Sequence, residues 1–331
     1  MKLHAQEPSR LTLAQLPTPL VELPHLAEHV GVERILLKRD DLTGLEISGN
    51  KVRKLEYVVA HALDEGADSL VTHGGFQSNH CRATAAVGAR LGLRVRMMLR
   101  SDDADPLWDG NLFLDRLFGA DVSYHAPDIY RAELDQIVEQ TMLAERTAGR
   151  NPYFFPVGAS VPYGSWGYVR CIAELVEQLG REAPVDVYCA TSSGGTQVGL
   201  MLGKALLGCD DWRILGVPVS DSVEYFHTSL RELERATVEQ FELDLSPEQT
   251  PIELIDGYIG DGYAIPYAEA VDTIRLLGHT EGIVLDPSYT SKGLTGMLGS
   301  LKASAGRLPV YIHTGGSFGL FARRDLLDPR V

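Results

Sequence analysis

Short apolar runs that end in glycine or polar turns alternate along this chain with longer segments of helical periodicity, and that alternation constrains its fold most strongly. Residues 34–39, 69–72, 95–99, 186–190, 213–217 and 310–313 read as strands. Between them, residues 51–62, 79–91, 107–117, 129–147, 168–179 and 196–206 repeat apolar side chains at helical spacing. A helix after nearly every strand returns the chain to the same edge, so the expected class is α/β, with mainly parallel sheets covered by helices. Residues 151–167, rich in proline, glycine and aromatics, break the pattern and are expected to carry the chain from one α/β unit to another. The charged stretch 231–248 reads as a surface helix and loop.

The chain has 331 residues, 44% of them hydrophobic, enough for one large core or two medium ones. A formal charge of −15 argues against nucleic acid or an acidic membrane as the main partner, so any bound anion needs a local cationic pocket. Cys81, Cys171, Cys189 and Cys209 form no C-x-x-C pair, which suggests neither a disulfide framework nor a zinc site and fits a reducing cytoplasm. Residues 1–20 lack the apolar centre of a signal peptide, and no apolar run is long enough to span a bilayer. A soluble, unexported protein is expected.

Four places carry residues suited to chemistry. The stretch Gly49, Asn50, Lys51 opens a helix with Ser48 as the expected N-cap, which sets Lys51 in the first turn. The helix N-terminus and the neighbouring Arg53 and Lys54 disfavour a charged amine, and a lysine of depressed pKa is a nucleophile toward carbonyls. After strand 69–72 comes a glycine turn with Gln77, Ser78, Asn79 and His80 at a helix start, suited to a carboxylate or phosphate. After strand 186–190 the run Ser193, Gly194, Gly195, Thr196 offers hydroxyls and N–H groups that suit a phosphate monoester, without the pattern of a Walker A or dinucleotide loop. Near the C-terminus, turns bring Tyr263, Asp286 with Tyr289 and Thr290, and His313 with Thr314. His73, His80 and His313 lack the spacing of a metal triad.

Taken in order, Gly49 to Glu56, Gly75 with Gln77 to His80, Ser193 to Thr196, and Asp286 with Tyr289 resemble the 1-aminocyclopropane-1-carboxylate deaminase and D-cysteine desulfhydrase family of pyridoxal-phosphate enzymes, from about residue 16 to 321. The resemblance implies fold type II, like the tryptophan-synthase β-subunit: two open, twisted, mainly parallel α/β/α domains with the cofactor in the cleft. Residues 1–53 and 165–331 would form the larger domain and 54–164 a smaller inserted one. Lys51 would hold pyridoxal 5'-phosphate covalently. Asn79 would meet its phenolic oxygen, and Lys54 with Ser193, Gly194, Gly195 and Thr196 its phosphate. Thr290 and Thr314 also belong to the implied cofactor set. Gln77, Ser78, Asn79 and His80 would receive the substrate, and Ser78, Tyr263 and Tyr289 would stand with Lys51 at the reacting carbon.

Where the deaminase branch is expected to carry Glu after the tyrosine, this chain has Thr290, which would leave the cofactor ring nitrogen unprotonated and favour α,β-elimination. The expected reaction is D-cysteine to pyruvate, ammonia and hydrogen sulfide. L-Cysteate sulfo-lyase, 1-aminocyclopropane-1-carboxylate deaminase and a non-catalytic cofactor carrier are the alternatives. A cytoplasmic homodimer acting on a small amino acid, with no metal, is implied.

Overall fold

The computed structural model describes residues 6–304 and 306–327. Residues 1–5 and 328–331 of the expected larger domain lie outside the described residues. The strands are β1 (Leu20–Glu22), β2 (Leu36–Lys38), β3 (Ser69–Gly75), β4 (Arg94–Arg100), β5 (Asp121–His125), β6 (Pro152–Phe154), β7 (Val185–Thr191), β8 (Trp212–Pro218), β9 (Glu253–Leu254) and β10 (Leu308–Ile312). They form a six-stranded sheet of order β1-β2-β10-β7-β8-β9 and a four-stranded sheet of order β5-β4-β3-β6. Every pairing is parallel except β1 with β2. Parallel sheets need cover on both faces, and β7 is accordingly buried along nearly its whole length.

The cover comes from helices α1 (Pro24–Val30), α2 (Asn50–Asp64), α3 (Asn79–Leu91), α4 (Gly110–Leu117), α5 (Pro127–Thr147), α6 (Pro162–Leu179), α7 (Gly195–Leu206), α8 (Val223–Gln240), α9 (Ala268–Glu281), α10 (Thr290–Ser300) and α11 (Ser317–Phe321). The helical stripe read from the sequence is the buried one: Val52, Leu55, Val58, Val59 and Ala62 of α2 pack into the core that also holds Leu70 and Val95 of the smaller sheet. Among the described residues, no helix is long and apolar enough to cross a membrane.

Three departures from the sequence reading have local causes. β5 and β6 are edge strands; β6 is three residues long and starts on a proline, and β5 is only half-buried, so neither carries a clear pattern. α4 begins at Gly110, because the Asp109 carboxylate accepts the Gly110 N–H at 2.7 Å and Leu107 and Trp108 stay exposed. α6 starts at Pro162, inside the stretch expected to be a crossover; proline fits a first helical turn, and the following small residues serve packing. The limits set at 53/54 and 164/165 therefore fall inside α2 and α6.

That packing sets the geometry of the site. A Cβ at Gly167 of α6 would lie 2.5 Å from the Arg53 carbonyl oxygen of α2, and one at Gly199 of α7 would lie 2.2 Å from the Ser165 carbonyl oxygen. Only glycine permits such approach, so α2, α6 and α7 stack closely. Gly167→Ala should lower stability by about 1–3 kcal/mol through overpacking. Gly278→Ala, in α9 with nothing near its Cβ, should instead raise it by up to about 1 kcal/mol. Denaturant midpoints compare the two; equal shifts would contradict this account of the stack.

Candidate active site

Lys51 stands in the first turn of α2, yet the cap differs from expectation. Gly49, not Ser48, is the N-cap residue, at φ 102°. Its Cβ position would be 2.6 Å from the Thr314 carbonyl oxygen, which accepts the Asn50 N–H at 3.1 Å. Ser48 instead offers its carbonyl to Arg82, at 2.9 Å. Lys51 Nζ donates to Asn50 Oδ1 at 3.0 Å. Burial lowers its pKa to about 8, with Asp286 opposing and Arg82 adding to the shift. The sequence reading named Arg53 and Lys54 as the cations responsible. Arg53 is in fact turned into a buried ion network with Asp40 and Glu174.

The loop after β7 meets α2 directly. Asn50 Nδ2 donates to Thr196 Oγ1 at 3.0 Å, Ser160 Oγ donates to Ser193 Oγ at 2.9 Å, and the Gly195 N–H donates to Ser160 Oγ at 3.2 Å. Among the described residues the Thr196 and Gln197 N–H groups have no protein acceptor. Lys54 is buried beside this cup, its Nζ reaching the Gly158 carbonyl at 3.2 Å and Ser160 Oγ at 3.4 Å, with no carboxylate in ion-pair distance among the described residues. Burial, reinforced by Lys51, holds its pKa well below the lysine range. A buried amine and a helix N-terminus without an acidic partner call for an anion, so the donor set fits a phosphate monoester.

Across the cleft, Ser78 caps α3, its Oγ accepting the Cys81 N–H at 3.2 Å. The N–H groups of Asn79 and His80 have no acceptor among the described residues, which suits a carboxylate. Asn79 Oδ1 accepts from Asn111 Nδ2 at 3.0 Å. His80 Nε2 meets Thr72 Oγ1 at 2.8 Å; that hydroxyl donates to the Phe155 carbonyl, so Nε2 carries the ring hydrogen and Nδ1 is an unpartnered acceptor.

Two expected residues are spent elsewhere. The Gln77 amide donates to the Asp109 carbonyl at 2.9 Å and accepts the Asn111 N–H at 2.9 Å, joining the β3–α3 turn to α4. Thr290 is fully buried and bonds Asp286 Oδ1 at 2.7 Å, completing a carboxylate that also accepts the N–H groups of Ser288, Tyr289 and Thr290 at the start of α10. Its hydroxyl therefore serves that turn, and it is not among the residues lining the cavity. The premise that Thr290 meets a ring nitrogen has no support in this geometry.

Lys51, Ser78, Asn79, His80, Ser193, Gly194, Thr196, Tyr263, Tyr289 and Thr314 line one cavity of about 520 Å³ between the two sheets' loops. Lys54 and Gly195 stand behind its wall. The Tyr263 and Tyr289 hydroxyls share a hydrogen bond, and burial raises both pKa values, so the pair stays protonated at neutral pH. The sequence reading missed Arg100 and Tyr130, which also line the cavity, and Asp286 as the carboxylate whose charge opposes the lowering of the Lys51 pKa. Arg100 ends a strand and Tyr130 lies in a surface-patterned helix, so nothing local marked them.

The sequence profile described as "Pyridoxal-phosphate dependent enzyme" matches residues 11–315. A D-cysteine desulfhydrase of Yersinia pestis is 38% identical over 325 residues, spanning 95% of each protein. A bifunctional D-cysteine desulfhydrase/1-aminocyclopropane-1-carboxylate deaminase of Arabidopsis thaliana is 36% identical, over 95% of this chain and 80% of that protein. The crystal structure of a 1-aminocyclopropane-1-carboxylate deaminase homologue superposes with a TM-score of 0.88 at 35% identity, covering 97% of this chain and 96% of the other.

A folded-state pKa of about 8 means the Lys51 amine is protonated and inert below that pH and free above it. Competitive acetylation of the cofactor-free protein should show Lys51 reactivity rising through about pH 8. A midpoint near the ordinary lysine value of about 10.4 would contradict the burial argument.

Proposed function

The chain belongs to the pyridoxal-phosphate dependent enzymes, in fold type II, and from that premise we propose that it catalyses α,β-elimination on a β-substituted amino acid, D-cysteine first among candidates. The observation that carries this reading is the Lys51 amine, depressed to about 8, in one cavity with the phosphate cup and the tyrosine pair. Relatives named D-cysteine desulfhydrase support the substrate.

When bound, pyridoxal phosphate supplies an electron sink that makes the substrate Cα–H acidic. Ser193, Gly194, Gly195 and Thr196, with Lys54 behind them, would hold its phosphate; Asn79 and Thr314 would border its ring. The α3 N-terminus, through the Asn79 and His80 N–H groups with Ser78 as cap, holds the substrate carboxylate. The Lys51 Nζ, once free, takes the Cα proton, a role its lowered pKa suits near neutral pH. Tyr263 and Tyr289, kept protonated, supply a hydroxyl beside the reacting carbon. The enamine released after the β substituent departs gains water to give pyruvate and ammonia. The larger domain, residues 1–53 and 165–331, the smaller one, 54–164, and a cytoplasmic homodimer belong to the same proposal.

Purified protein supplied with cofactor should show a near-ultraviolet or visible band that shifts as D-cysteine is added and pyruvate accumulates. A stable band indifferent to D-cysteine would move the assignment to cysteate or another β-substituted amino acid. Lys51→Ala should cut pyruvate formation by about a thousandfold or more; ordinary turnover by that variant would sink the mechanism.

A further inference from the structure

Arg100 ends β4 with its guanidinium 5.5 Å from the Tyr263 ring centroid and 5.9 Å from that of Tyr130. It lines the cavity that holds Lys51 and also an adjoining one of about 260 Å³. No carboxylate lies within 4.0 Å of it among the described residues, although the chain places ion pairs on many of its other arginines.

Tyr130 is oriented by His73. The Val157 N–H donates to His73 Nε2 at 3.3 Å, so in the neutral ring Nδ1 carries the hydrogen and donates to the Tyr130 oxygen. Burial lowers the His73 pKa to about 4, which keeps the ring neutral. The Tyr130 O–H is therefore left to donate into the cavity. An unpaired guanidinium and a free phenol hydrogen stand together beside Tyr263 in the lining of the cavity.

We infer that Arg100 and Tyr130 form the subsite for the substrate's β substituent, and that this substituent carries negative charge when bound, as a thiolate or a sulfonate does. The inference rests on the elimination reading and deepens it. In that reaction the bond from Cβ to sulfur breaks with its electron pair leaving on sulfur, the Cα proton passes to Lys51, and a Cα–Cβ double bond forms. The departing group is anionic when bound and gains one further negative charge as the electron pair leaves on sulfur, a sulfonate departing as sulfite dianion and a thiolate as sulfide that takes a proton from water, so Arg100 and Tyr130 face a charge that grows as the bond breaks. His73 acts through Tyr130 as a positioning residue.

The test compares the cofactor-loaded protein with Arg100→Gln, Arg100→Lys and Tyr130→Phe. Calorimetry would measure binding of both enantiomers of cysteate against alanine, which has the same α-amino acid frame and no substituent charge. Unmodified protein should bind one cysteate enantiomer about tenfold or more tighter than alanine, Arg100→Lys should keep most of that preference, and Arg100→Gln should erase it. The ratio of kcat/KM for cysteate to that for β-chloroalanine should fall about tenfold in Arg100→Gln and less in Tyr130→Phe. Cysteate binding no tighter than alanine, or an equal loss on both substrates, would overturn the inference, the second by marking Arg100 as structural. If no β-substituted amino acid is turned over at all, the elimination reading falls, and the binding comparison alone decides the subsite.

Discussion

A buried network centred on Arg53 holds the molecule's working parts in register. Its guanidinium meets Asp40 at 2.8 and 2.9 Å and Glu174 at 2.8 and 2.9 Å. Lys38 Nζ joins Glu174 at 2.8 Å, and the Tyr168 hydroxyl donates to Asp40 at 2.6 Å. Burial pushes both carboxylates up, but Arg53 and Lys38, with the Tyr168 hydroxyl on Asp40, together outweigh it, so their pKa values lie below the ordinary ones. Two cations against two anions leave the cluster neutral, the condition under which ions tolerate a dry interior. The partners come from β2, the turn after it, α2 and α6. With Arg53 anchored, Lys51 two residues earlier on the helix cannot rotate away from the cleft.

That anchoring turns helix ends into chemistry. α2, α3 and α7 all point their N-termini into one cavity, where backbone N–H groups and partial positive charge accumulate. The protein as a whole carries −15, yet the cavity is lined by Lys51, Arg100 and Arg131 against, among the described residues, the one carboxylate of Asp221. Local field and net charge thus have opposite sign, which lets an acidic protein bind anionic cofactor and substrate groups. The glycine contacts of α6 with α2 and α7 matter for the same reason: they bring Asn50 and Thr196 within hydrogen-bonding distance.

The site was legible where function needs contiguous residues. Lys51 in a first helical turn, Ser78 as the α3 cap and the hydroxyl–glycine loop before α7 follow from local rules, since capping and anion binding involve neighbours in sequence. The same rules failed where the partner is distant. Ser48 lost the cap to Gly49 because the backbone must pass close to Thr314. Arg53, two residues on from Lys51, is turned away into the ion network with Asp40 and Glu174, and Arg82 supplies the positive charge that adds to the Lys51 shift. Gln77 and Thr290 carry groups suited to a ligand, but Asp109, Asn111 and Asp286 reach them first.

By itself, the sequence determined the parallel α/β class, the positions of the main strands and helices and the identity of the principal loops, because these depend on periodicity and on residues a few places apart. Tertiary structure alone decided which groups remain available for chemistry. Lys51 owes its lowered pKa to burial, and the unpaired Arg100 and the free Tyr130 hydroxyl depend on β3, β4, α5 and the turn after β6 meeting on one side of the cleft. Hydrogen-bond partners and desolvation are set by residues far apart in the chain, and no local pattern encodes them.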